Sequence, residues 1–152
     1  PAALWQQLQE QAADGRVKQL VTWRLLQLRQ HWPTVFRDAT YQPLPVEGPA
    51  ADHAIAFARL LEGRAVLVIA ARLAWTLCGG DEARWTPSAW AGTRLRASEG
   101  AALRKWRRWR HWLTGDVLDV PTDEPLDLQA VFAGARGLPF AVLVADTEEA
   151  SA

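Results

Sequence analysis

Tryptophan is the residue type in this sequence that is best suited to bind a ligand. Nine tryptophans occur among the 152 residues, and a flat indole ring can stack on the face of a sugar ring. Trp85 and Trp90 lie in a loop-like stretch that also contains Pro87 and Gly92, so they are the candidates to be exposed and to bind carbohydrate, with core filling as the alternative. Three other tryptophans fall on apolar helical stripes and are predicted to fill the core: Trp5, Trp23 and Trp106.

Residues 104–112, RKWRRWRHW, combine five basic residues with three tryptophans. Such a segment suits single-stranded nucleic acid, where cations bind phosphates and rings stack on bases, or a helix at a membrane surface. A core role for two of the tryptophans is favoured by the helical spacing of Ala102, Trp106, Trp109 and Leu113. Five acidic residues between positions 116 and 127 balance the cations, and the whole chain has 17 basic and 17 acidic residues. We therefore expect no nucleic-acid partner and no membrane partner.

The sequence predicts no complete catalytic site and no metal site. His31, His53 and His111 are isolated, and Cys78 has no second ligand at a metal-binding spacing. The paired acidic residues stand in polar stretches, whereas a catalytic carboxyl pair needs an apolar pocket that raises the pKa of one member. We expect no catalytic residue, no metal and no cofactor in this segment.

Length and composition predict one ordinary globular domain, or one domain with a short addition. The mass is 16.9 kDa and the apolar share is 49%, which excludes a disordered chain. No stretch reaches the roughly 18 apolar residues of a membrane span, and no secretory leader is recognisable. The single Cys78 favours a reducing cytoplasm. Because the sequence starts at Pro1 and contains no methionine, we expect it to belong to a longer polypeptide.

The hydrophobic periodicity predicts helices first and strands afterwards. An apolar stripe over residues 4–12 predicts one helix, and the apolar spacing over residues 16–31 predicts a second helix, ended by Pro33. The second helix is apolar around more than half of its circumference, so it needs packing on two sides. We expect Trp23 and its neighbours to pack on the sheet or on a second copy of the chain.

Short apolar runs between Gly, Pro and Asp residues predict strands from about residue 41 onwards. Residues 53–60 and 64–72 should form a hairpin around Gly63. Four later candidates are residues 93–96, 117–120, 127–133 and 140–145. The predicted fold class is α+β: two N-terminal helices, residues 1–33, packed on an antiparallel β-sandwich domain, residues 34–152.

Several of these elements carry a family resemblance. The stretch LLQLRQHWPTVFRDATYQPL at residues 25–44 resembles the end of the barrel in the α-amylase family of glycoside hydrolases, and HAIAFAR with VLVIAAR resembles the next two strands. DGRVK at residues 14–18 and LVTWR at residues 20–24 are more narrowly similar to malto-oligosyltrehalose synthases. The later motifs WAGTRL and WLTG fit the same enzymes. Residues 37–40, RDAT, depart from the family, which usually has a Gly just before the aromatic residue, and the basic segment 97–109 is longer than expected.

The resemblance implies that this chain is the C-terminal, non-catalytic part of a trehalose-forming isomerase. Such an enzyme converts the reducing-end α-1,4 bond of a maltodextrin to an α,α-1,1 bond by intramolecular glucosyl transfer, with two carboxyl groups about 5 Å apart and no cofactor. These carboxyl groups would lie on an upstream (β/α)₈ barrel, which at about 250 residues cannot fit in this chain. The segment alone should be inactive and should stabilise the barrel, which is its expected partner together with the maltodextrin substrate.

Two cationic residues are further candidate site residues, and one alternative function remains open. Lys18 and Arg24 are candidates to face the substrate cleft, although ordinary solvated or ion-paired helix positions explain them as well. The alternative function is a stand-alone α-glucan-binding module that uses Trp85 and Trp90. A homodimer of the isolated segment is a further candidate assembly.

Overall fold

The computed structural model describes residues 15–81, 84–96, 103, 105–121 and 124–146. Four α-helices occur in these ranges: α1 (Arg16–His31), α2 (Pro33–Asp38), α3 (Ala74–Leu77) and α4 (Leu128–Gly134). Eight strands occur: β1 (Thr40–Pro43), β2 (Val46–Glu47), β3 (Ala54–Leu61), β4 (Arg64–Ala71), β5 (Arg94–Leu95), β6 (Arg108–His111), β7 (Val117–Asp119) and β8 (Phe140–Asp146). The helix predicted over residues 4–12 lies outside the described residues.

The strands form one six-stranded sheet and one two-stranded sheet. The order in the large sheet is β1-β3-β4-β8-β6-β7, and every neighbouring pair is antiparallel. The small sheet pairs β2 with β5, also antiparallel. The predicted α+β class with an antiparallel sheet is confirmed, and the described residues contain no barrel.

The central hairpin forms where the sequence predicts it. β3 and β4 pair from Ala54 opposite Ala71 to Leu61 opposite Arg64. In β4 the side chains of Leu67 and Val66 belong to two different buried clusters. Because both faces of β4 are covered, its continuous apolar run is explained by its central place in the sheet.

The helices α1 and α2 cover one face of the large sheet. Leu28, Trp32 and Val35 pack against Val66 and Val142. Helix α1 ends at His31, since Trp32 has left the helical region and Pro33 follows it. The chain continues directly into α2, whose first residue is that proline.

The opposite face of the sheet carries the larger core. Trp90, Trp109, Leu128 and Phe132 are buried there together with the small sheet. The second layer of the predicted sandwich is therefore built from the β2–β5 sheet, α4 and the turn Pro87–Trp90.

One strand prediction is wrong. Residues 127–133 were expected as a strand but form α4, because the Asp127 carboxylate accepts hydrogen bonds from the backbone N–H groups of Gln129 and Ala130. This N-cap stabilises the first turn of a helix. The core role favoured for Trp106 and Trp109 is confirmed, but it does not arise from a helix at 108–111, which is strand β6 with Trp109 buried and Arg108 exposed.

The three other late strand predictions are confirmed by β5, β7 and β8. No helix in the described ranges has both the length and the hydropathy that a membrane crossing requires.

Candidate functional site

The two tryptophans that are candidates to bind sugar lie together, Trp90 in the core and Trp85 packed against it. The ring of Trp90 stacks on Phe132 with centroids 4.3 Å apart, and Trp85 meets Trp90 edge-on at 6.1 Å. Trp90 is 1% exposed, so the prediction that its ring lies at the surface is wrong. The 3₁₀ turn Pro87–Trp90 directs this indole inward, although the surrounding residues have a loop-like composition. Trp85 is half-buried, and its indole N–H donates to the carbonyl oxygen of Gly137 at 3.1 Å.

The two cationic candidates lie on different faces of α1. Lys18 is exposed and borders a shallow apolar groove with Trp23 and Leu26. Arg24 is half-buried, and one of its N–H groups donates to the backbone carbonyl oxygen of Trp112. The structure therefore does not bring Lys18 and Arg24 into a common site.

Helix α1 also presents apolar side chains to the outside. Trp23 and Leu26 are each 54% exposed, although the helix packs on the sheet through Leu28. The prediction that Trp23 fills the core is therefore wrong for this chain, because its side chain lies on the face of the helix that points away from the sheet. An apolar cavity of about 470 Å³ lies between α1, α2 and the sheet, with Phe36 and Phe140 in its lining. The described residues thus cover one side of α1 and leave a second apolar side open.

A polar groove that the sequence did not indicate lies beside this helix. Arg24, Gln27, Gln30 and His31 line it on one side, and Trp112 lines it on the other. Its volume is about 380 Å³. We call it the Trp112 groove. The spacing of Arg24, Gln27 and His31 puts them on one helical face, but Trp112 follows strand β6, far away in the sequence, and only the fold brings it there.

The basic segment forms part of the core rather than an exposed aromatic surface. Trp106 and Trp109 are buried, so their faces are not accessible to bases. The Arg108 guanidinium donates to the Asp119 carboxylate at 2.9 Å, and the Lys105 ammonium lies over the Trp106 ring at 4.1 Å. Arg104 lies outside the described residues.

Ionised carboxylates are paired with arginines on the surface. The Arg136 guanidinium donates two hydrogen bonds to the Asp116 carboxylate, at 2.7 and 2.8 Å, and holds the pKa of Asp116 below its usual value. Arg37 lowers the pKa of Asp38 in the same way. A carboxyl group with a lowered pKa is ionised at neutral pH and is therefore a poor general acid.

His111, the last residue of strand β6, is a buried histidine. Burial lowers the pKa of His111, one of whose ring nitrogens bonds to the carbonyl oxygen of Val131. Nε2 of the same ring is buried without a hydrogen-bond partner among the described residues. Within the described ranges, no three His, Cys, Asp or Glu side chains come close enough to hold a metal ion together.

Comparisons with known proteins relate this chain to a solved enzyme structure. No protein-family model matches the chain, and no curated protein matches it. Among solved structures, the chain is similar to a mutant of maltooligosyltrehalose synthase from Arthrobacter ramosus, with a TM-score of 0.59 and 27% sequence identity. The match covers 85% of this chain and 14% of that one, so this chain spans about a seventh of the length of the enzyme it resembles. The similarity supports a relation to that enzyme at low sequence identity.

Proposed function

We propose that this chain is the C-terminal, non-catalytic part of a malto-oligosyltrehalose synthase that acts in the cytoplasm. The observation that carries this proposal is the structural match over 85% of the chain, at 27% identity, to an enzyme of that name. The whole enzyme would convert the reducing-end α-1,4 bond of a maltodextrin to the α,α-1,1 bond of trehalose. The carboxylates for this step would come from an upstream barrel, because this chain matches only 14% of the similar enzyme.

The role of the segment would be to stabilise that barrel through the open side of α1. Trp23 and Leu26 are each 54% exposed, and burying a large apolar side chain contributes about 1.5–3 kcal/mol. The upstream polypeptide is the proposed occupant, because the chain spans only 14% of the similar enzyme. Two isolated copies would pair through the same side of the helix.

The alternative, a stand-alone glucan-binding module that uses Trp85 and Trp90, has less support. Trp90 is buried against Phe132, and Trp85 is half-buried with its N–H already bonded to Gly137. Trp90 presents no free face of the kind that stacks on a sugar ring, and the indole N–H of Trp85 is already used within the protein.

The experiment that tests the proposal is the size of the native polypeptide, measured by immunoblot of the source cells with an antibody against this chain. We expect a band several times larger than 16.9 kDa. Hydrogen exchange then tests the interface: amides around Trp23 should exchange more slowly in the native polypeptide than in the 152-residue chain, while amides around the exposed Trp75 serve as the control. A native band at 16.9 kDa would contradict the proposal.

A further inference from the structure

We propose that the Trp112 groove is a subsite that binds one glucosyl unit of an α-1,4-glucan; the choice of this glucan rests on the proposed function. The groove is open to solvent, and its five lining side chains are an indole, an imidazole, a guanidinium and two amides. Ligand sites commonly combine aromatic contact with a few converging polar groups. Of the site residues predicted from the sequence, Arg24 belongs to this groove, whereas Trp85, Trp90 and Lys18 do not.

The aromatic wall of the groove is held in a fixed position. The indole N–H of Trp112 donates to the backbone carbonyl oxygen of Arg24 at 2.7 Å, and an N–H of Arg24 donates back to the carbonyl oxygen of Trp112. The Arg24 guanidinium lies 4.9 Å from the centroid of the same ring, and the His31 ring is roughly parallel to it at 6.2 Å. A wall fixed before binding loses little side-chain entropy when a ligand arrives.

The polar groups of the groove suit hydroxyl groups. Among the described residues, the side-chain amides of Gln27 and Gln30 have no hydrogen-bond partner in the protein. An amide offers both a donor and an acceptor, so each can bond to a hydroxyl, which also donates and accepts. The exposed imidazole of His31 adds a further polar group at the end of α1.

The same groups favour a neutral polyhydroxylated ligand over an anion. The guanidinium of Arg24 already donates to Trp112 and lies against its ring, so part of its donor capacity is used. The carbonyl oxygens of the two glutamine amides can accept hydrogen bonds only from a ligand that carries donors, such as a hydroxyl, whereas their NH2 groups can donate to either kind of ligand. No carboxylate lines the groove, so nothing in its lining favours a cationic ligand.

Titration of the full 152-residue chain with maltoheptaose, followed by backbone amide NMR, tests this inference. The unmodified chain should bind with an affinity in the millimolar range, which corresponds to about 4 kcal/mol, and the shifts should centre on residues 24–31 and 112. The double variant Gln27→Ala, Gln30→Ala should bind at least about fivefold more weakly, as expected when hydrogen bonds to a ligand are lost. Gln19→Ala is the matched control, because Gln19 is an exposed glutamine of the same helix outside the groove, and it should leave the affinity unchanged.

Three outcomes would overturn the inference. The first is no shift at the groove with maltoheptaose, and the second is an equal loss of affinity in Gln19→Ala. The third is tighter binding of inorganic phosphate or cellohexaose than of maltoheptaose, which would assign the groove to another ligand class. Failure of the proposed function is a separate result: a native band at 16.9 kDa contradicts that function whatever the groove binds.

Discussion

The indole N–H of Trp112 donates a hydrogen bond of 2.7 Å to the backbone carbonyl oxygen of Arg24, a residue 88 positions earlier in the chain. The Arg24 side chain returns a hydrogen bond to the backbone of Trp112 and covers its ring. This reciprocal contact joins helix α1 to the end of strand β6. It fixes the position of the helix on the sheet and, with it, the shape of the Trp112 groove.

Replacing Trp112 by Phe should weaken this attachment. The variant keeps an aromatic ring but loses the N–H donor, so the free energy of unfolding should fall by about 1 kcal/mol. Urea denaturation measures this change. The control is Trp23→Phe, at a side chain that is 54% exposed, for which we expect less than about 0.5 kcal/mol. Equal losses in the two variants would show that the Trp112 N–H contributes nothing.

Replacing Trp90 by Ala should destabilise the fold rather than remove a sugar contact. The ring is 1% exposed and stacks on Phe132 at 4.3 Å, so the variant leaves a cavity that costs about 3–5 kcal/mol. Trp75→Ala is the control, because Trp75 is 64% exposed. Thermal unfolding of the two variants distinguishes them. A Trp90→Ala protein as stable as the unmodified chain would contradict the burial of this ring.

The buried His111 should make stability depend on pH. Burial lowers its pKa below the ordinary value of 6.5, so the unfolded state binds a proton more readily than the folded state. The stability from the neutral ring is therefore fully present above pH 6.5 and is lost as the pH falls through the lowered pKa. Denaturation between about pH 8 and pH 5 should show this loss, which His111→Gln should reduce.

The control for that experiment is His31→Gln, since His31 is exposed. This variant should keep the pH dependence of the unmodified chain. A pH dependence that disappears in His31→Gln and persists in His111→Gln would contradict the assignment. The Asp116–Arg136 pair acts in a different range, because the lowered pKa of Asp116 affects stability only below its ordinary value of 3.8.

Gly48→Ala should be much more destabilising than Gly115→Ala. Both glycines have a positive φ, 112° and 82°, so both variants carry backbone strain of about 1–2 kcal/mol. Only at Gly48 would the new Cβ also lie 2.3 Å from the carbonyl oxygen of Gly92, whereas nothing lies within 4 Å at Gly115. The clash should add about 1–3 kcal/mol, measured as the difference in unfolding free energy. Equal losses of unfolding free energy in the two variants would contradict the clash, because the backbones of Gly48 and Gly92 would then move apart at no cost.

The parts of the fold that follow from local pattern could be predicted from the sequence. Helix α1 follows from its apolar periodicity and Pro33, and the β3–β4 hairpin follows from two apolar runs around Gly63. The strand predicted over residues 127–133 failed because a single side chain, Asp127, caps a helix there. An apolar run of seven residues cannot distinguish a buried helix from a strand by its period alone.

The candidate site was less accessible to sequence reasoning, since it depends on long-range contacts. Trp90 and Phe132 stack on each other from two separate elements of the core. The loop-like residues around Trp90 therefore led to a wrong prediction of its exposure. Trp112 reaches the polar face of α1 only because β6 pairs with β8 in the large sheet. Neither of these two contacts can be predicted from the spacing of residues within one segment of the sequence.

The most direct test of the proposed origin of this chain is the reducing-end content of maltopentaose incubated with the native polypeptide. That polypeptide can be purified from the source cells with an antibody against this chain. Conversion of the terminal α-1,4 bond to an α,α-1,1 bond joins two anomeric carbons and so consumes the reducing end without releasing glucose. We predict a fall in reducing ends with no free glucose, and no change with the 152-residue chain alone. Unchanged reducing ends with the native polypeptide would contradict the proposal.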